Sequence, residues 1–103
     1  MARVRDLIAH ILHHVNAEAA DSDPSQVAGV SRRAQLVRDA VQSLRTDTRD
    51  LTIRDILRAI YDAIPNRAGR ASFRRAIENM RAEGGTRPQL AIQAWVGKAQ
   101  ETR

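Results

Sequence analysis

The chain is expected to fold as an all-α protein, a compact bundle of four to five short helices forming a single domain over residues 1–103. Three observations lead there. Apolar residues recur at intervals of three and four through most of the chain, the period of an amphipathic helix. Aromatics amount to Tyr61, Phe73 and Trp95 alone, so the core must be built from Ile, Leu, Val and Ala. Gly, Pro, Ser, Thr and Asn punctuate the pattern where helices start and stop. At 103 residues with 43% hydrophobic content, there is material for one modest core and not for two.

The first helix is expected from about Arg3 to Ala20, with Val4, Leu7, Ile8, Ile11, Leu12 and Val15 in one stripe and Asp6, His10, His13 and His14 away from it. Asp21-Ser22-Asp23-Pro24 ends it. Asp23, Pro24 and Gln26 then resemble the start of a short capped turn that Gly29 closes, either a short helix or an ordered loop. Ser31 reads as the cap of the second helix, Arg32 to about Thr46, with Val37, Ala40, Val41 and Leu44 inward. A polar loop, Thr46 to Asp50, follows.

The third helix has the clearest start. Thr52 and Asp55 have capping-box spacing, and Leu51 and Ile56 have that of a hydrophobic staple. Ile53, Ile56, Leu57, Ile60, Tyr61 and Ile64 make its stripe. Pro65 stops it, because the residue before a proline is pushed out of the α region. Arg54, Asp55, Arg58 and Asp62 occupy its outer face, which should neutralise itself and remain a solvated surface rather than a binding patch.

The fourth helix is expected between Asn66, its cap, and Gly84-Gly85, its stop. Gly69, Ser72, Phe73, Ala76, Ile77 and Met80 face a core. Arg67, Arg70, Arg74 and Arg81 share the other side within roughly a 60° arc at about 100° per residue. The second to fourth helices allow a trihelical unit in which the fourth is the reading helix, and an αα-hairpin of the third and fourth is equally consistent. The fifth helix, about Pro88 to Gln100, spreads Leu90, Ile92, Trp95 and Val96 widely around its circumference. Such a helix is either sandwiched in the core or docked on a partner.

The net charge is +5. Of the 17 basic residues, 16 are Arg, a bias that raises the isoelectric point without calling for a polyanion. Distribution is more telling: residues 65–87 carry six Arg against two Glu, whereas residues 1–30 carry two Arg against four acids. A forked guanidinium matches a phosphate, and counterion release supplies affinity. The leading expectation is therefore a small non-enzymatic regulatory protein, cytoplasmic and dimeric, binding the phosphate backbone of DNA or RNA through Arg67, Arg70, Arg74 and Arg81 (about residues 66–83), with Arg75 and Arg87 extending the patch. The alternative is a helical protein–protein interaction adaptor or inhibitor that uses Trp95, Leu90, Ile92 and Val96, or the first helix, as anchors.

Other chemistries find little support. There is no cysteine, hence no disulfide, thiolate site or Cys nucleophile. No nucleophile elbow, Gly-rich phosphate loop or paired-carboxylate signature is present, and Ser22, Ser25 and Ser31 read as turn and cap residues. His10 and His14 have chelating i, i+4 spacing. Ile11, not Glu, follows His10, and no third ligand is evident, so solvated histidines and no metal are expected. Nor is any cofactor expected. The first helix is too interrupted by His10, His13 and His14 for a signal peptide, and no stretch approaches the roughly 20 apolar residues of a membrane span.

Overall fold

The computed structural model describes residues 4–20, 27–44 and 51–100. It contains five α-helices: α1 (Val4–Ala20), α2 (Val27–Gln42), α3 (Ile53–Ala63), α4 (Arg67–Ala82) and α5 (Pro88–Gly97), with one 3₁₀ turn at Lys98–Gln100. No strand occurs among the described residues, and the all-α expectation holds. The expected Asp23 turn and the Thr46–Asp50 loop lie outside the described residues.

Helix α5 is the centre of the arrangement. It packs against α1 on one side and α4 on the other, and it also touches α2, on which the 3₁₀ turn rests. Its broad apolar circumference follows from that position, since a helix enclosed by neighbours has little polar face to keep. Ile92 and Val96 are fully buried and Trp95 is 1% exposed. The Trp95 ring meets Phe73 of α4 edge-on, at 5.3 Å and 87°. Such a pair adds about 0.5–1.5 kcal/mol beyond burial. The indole N–H is buried without a hydrogen-bond partner, so Trp95 serves here as volume.

Helix α2 departs from expectation at both ends. Ser31 does not cap it; the helix begins at Val27 and runs through Gly29 and Ser31. Local propensity suggested a boundary there, but Val30, Ala34, Val37 and Val41 form one continuous buried stripe, and packing outweighs propensity. Gly29 sits where a Cβ would come within 3.4 Å of the Ala99 carbonyl oxygen, so the 3₁₀ turn approaches α2 closely. The helix also ends early, at Gln42. The Ser43 hydroxyl donates to the Ala40 carbonyl at 2.7 Å, a local bond that competes with helix continuation.

The start and stop of α3 follow the reading closely. The Thr52 hydroxyl accepts from the Asp55 N–H at 3.2 Å, and the Asp55 carboxylate accepts from the Thr52 N–H at 2.9 Å, a complete capping box. Ile64 is extended, with φ −72° and ψ 121°, immediately before Pro65. Ile56, Leu57, Ile60 and Ile64 are buried, but Ile53 is 47% exposed and does not join them. It occupies the first helical position, where no described element covers it.

On α4, Asn66 accepts from the Gly69 N–H as the cap. The far end is a Schellman stop: Gly84 lies at φ 76°, its N–H donates to Arg81, and the Gly85 N–H donates to Met80 at 2.8 Å. An L-residue would be strained at that φ. Phe73, Ala76 and Ile77 are buried, so the opposite face is left to the arginines. Among the described residues no helix is long and apolar enough to cross a membrane.

Candidate nucleic-acid interface

The two faces of α4 separate as their spacing requires. Arg67, Arg74, Arg75 and Arg81 are exposed and Arg70 is half-buried. They line two shallow depressions that adjoin along α3 and α4. One, of about 670 Å³, is bordered by Arg67, Arg70, Arg74 and Arg75. The other, of about 390 Å³, is bordered by Arg54 and Arg58 from α3 and by Arg74 and Arg81 from α4, over Leu57, Phe73 and Ile77. Tyr61, Arg74 and Glu78 belong to both.

The outer face of α3 is exposed as expected, and it also borders the second depression. It contains its local pair, Arg58 Nε to Asp62 Oδ2 at 3.9 Å. Arg54 and Arg58 remain exposed, and both border that depression together with Arg74 and Arg81 of α4. Arg54, Arg58 and Tyr61 share one side of α3 at i, i+4 and i+7, a pattern present in the sequence but meaningless until α4 lies beside it.

The positive charge on this face is compensated only in part, by Asp55, Asp62 and Glu78. Arg74 Nε lies 3.6 Å from Glu78 Oε1, and both side chains are well exposed. Exposed pairs of this kind contribute a few tenths of a kcal/mol and are readily traded for a phosphate. Arg54, Arg67, Arg70, Arg75 and Arg81 make no ion pair among the described residues. Asp55 is occupied differently: the Thr52 backbone and hydroxyl donors, with Arg54 and Arg58 nearby, hold its carboxyl below the usual range.

Arg87 is not part of this assembly. It borders a separate groove between α4 and α5, of about 560 Å³, with Met80, Gly85, Leu90 and Lys98. Of the expected protein anchors, Trp95, Ile92 and Val96 are core residues inside the bundle and offer no surface to a partner. Leu90, 44% exposed, alone remains on the outside.

Other arginines are used structurally. Arg33 on α2 donates to the Trp95 carbonyl at 2.6 Å and lies 4.4 Å from the centre of the Trp95 ring. Partial burial lowers its pKa, though a guanidinium remains charged throughout the physiological range. Arg38 donates to Asn16 on α1 at 2.7 Å and to Gln35 at 2.9 Å.

The histidines divide as well. His10 and His13 are exposed, but His14 is half-buried rather than solvated, and its Nδ1 is 3.0 Å from Gln93 Oε1 on α5. Gln93 in turn donates to Glu18 at 3.3 Å. His14 thus joins α1 to α5. No group of three His, Cys, Asp or Glu side chains able to hold a metal comes together among the described residues. No family model, curated protein or solved structure matches this chain.

Proposed function

We propose that this protein binds nucleic acid through the α3–α4 face, as a small non-enzymatic regulator acting in the cytoplasm. The observation that supports this most is that Arg54 and Arg58 of α3 border the same exposed depression as Arg74 and Arg81 of α4. Seven arginines, Arg54, Arg58, Arg67, Arg70, Arg74, Arg75 and Arg81, outnumber the acids beside them, Asp55, Asp62 and Glu78, so the face keeps a net positive charge that favours an anionic ligand. The roles are simple. Arg67, Arg70, Arg74, Arg75 and Arg81 contact phosphates, Arg54 and Arg58 close the other side, and Arg87 drops out. Dimerisation, if it accompanies binding, would double the charged face, and light scattering measures it directly.

Retention of oligonucleotides by the purified protein tests the proposal. With about five phosphates neutralised, log K should fall against log salt with a slope of roughly −3 to −5. Replacing Arg70 and Arg74 by Glu should abolish retention while leaving the helical circular dichroism intact. Absence of retention at low salt by the unmodified chain sinks the proposal.

A further inference from the structure

We infer that the nucleic acid is single-stranded and that one of its bases stacks on Tyr61, an inference that rests on the nucleic-acid reading of the α3–α4 face. The chain has three aromatic side chains. Phe73 and Trp95 are spent in the core, each about 98–99% buried. Tyr61 is the exception: it is half-buried and borders both arginine-lined depressions.

Its surroundings show what remains unused. Arg54, Arg58, Arg70 and Arg74 border the same depressions. Yet among the described residues no guanidinium stacks on the Tyr61 ring, no other ring meets it, and its hydroxyl has no hydrogen-bond partner. Trp95 is the contrast, its face taken by Arg33 and its edge by Phe73. Ile56, Leu57, Ile60 and Ile64 supply the buried part of α3, and Tyr61 packs against that core with part of its ring while the rest stays exposed. Tyr61 adds a flat apolar surface at the border between that stripe and the arginines.

An aromatic face within a basic depression is of no use to a duplex, whose bases cover one another and offer only phosphates and groove edges at that depth. A single strand has free base faces, and aromatic stacking combined with phosphate contacts is how such strands are held without regard to sequence. Arg67 to Arg81 spans about 21 Å of helix at 1.5 Å per residue. Tyr61 lies where the two depressions adjoin, so a strand that follows α4 from one into the other passes over it.

Fluorescence anisotropy on the full chain, with a labelled 12-nucleotide oligo(dT) or oligo(U) and a 12-base-pair duplex, tests this at low salt. The single strand should bind more tightly than the duplex. Tyr61→Phe should retain that affinity, and Tyr61→Leu should weaken single-strand binding about tenfold, within the range for one stacked base, with duplex binding unchanged. Duplex binding as tight as single-strand binding, or an unchanged Tyr61→Leu, overturns the inference. If Tyr61→Leu binds normally while the Arg70→Glu, Arg74→Glu double variant does not, stacking falls and the basic face stands. If neither oligonucleotide binds the unmodified protein, both fall. Should Tyr61→Leu fail to fold, photo-cross-linking of 5-bromouridine-substituted oligo(U) to the unmodified protein decides. A cross-linked peptide containing Tyr61 supports stacking, and cross-links confined to other peptides overturn it.

Discussion

Arginine does two different things on α2 and on α4. On α2, Arg33 and Arg38 reach other helices and end on specific acceptors, the Trp95 carbonyl and Asn16. On α4, Arg74 reaches only Glu78 on the same helix, and Arg67, Arg70, Arg75 and Arg81 make no ion pair among the described residues. Both helices are 16 residues long. What differs is the surroundings. Helix α2 packs against α1, α3, α5 and the 3₁₀ turn, so its flanks lie within reach of other backbones. Helix α4 packs mainly against α5 and, less extensively, α3, which leaves its arginine side outward. A charge that has found partners in the fold is structural; a row that has found none is available to a ligand.

Six substitutions, in four experiments, test that contrast, from the largest expected effect down. Trp95→Ala should cost about 3–5 kcal/mol, enough to unfold a marginal domain, whereas Arg70→Ala should alter stability by no more than about 0.5 kcal/mol. Denaturant titration measures both, and a small Trp95 effect would mean that the core centre lies elsewhere. Arg33→Met should lose about 1–3 kcal/mol through the bond to the Trp95 carbonyl and the ring contact. Arg74→Met should change stability by a few tenths at most. The reverse order would break the division between structural and available arginines.

Asn66→Ala should cost about 1 kcal/mol by leaving the Gly69 N–H uncapped. Because that cap sets where α4 begins, thermal melting and oligonucleotide affinity should fall together. The smallest effect is one of pH. The folded-state pKa of Asp55 is depressed, chiefly by the Thr52 backbone N–H and then by the Thr52 hydroxyl. Its stabilisation is therefore fully present above the ordinary carboxylate value and is lost as the pH falls through the depressed one. Asp55→Asn should be less stable at neutral pH and show a shallower acid limb in urea titrations between about pH 5 and 2. An unchanged limb would show that the box does not persist in solution.

Much of the architecture was legible because its signals are local. Thr52, Asp55, Ile64-Pro65, Asn66 and Gly84-Gly85 mark helix ends by hydrogen bonds and dihedral limits spanning a few residues, and those ends lie where the residues imply. The start of α2 was not legible, since Gly29 and Ser31 favour a boundary that burial of Val30 and Ala34 overrides. The stripe of Arg67, Arg70, Arg74 and Arg81 was readable for the same local reason, being a consequence of helical period. Its continuation through Arg54 and Arg58 was not, nor was the separation of Arg87 from the rest. Those depend on which side of α3 faces α4, and no pattern within either helix contains that.

The sequence by itself thus determined an all-α bundle of four to five helices, most of their ends, and the side of α4 that carries charge, because caps, prolines and a 3.6-residue period act over one or two turns. Tertiary structure alone decided that α5 is the enclosed helix with Trp95 inside it, that His14 joins α1 to α5, that Arg33 is structural, and that Tyr61 and two arginines of α3 complete the basic face. Each of these depends on which helices lie side by side, and that is settled by the joint burial of side chains far apart in the chain.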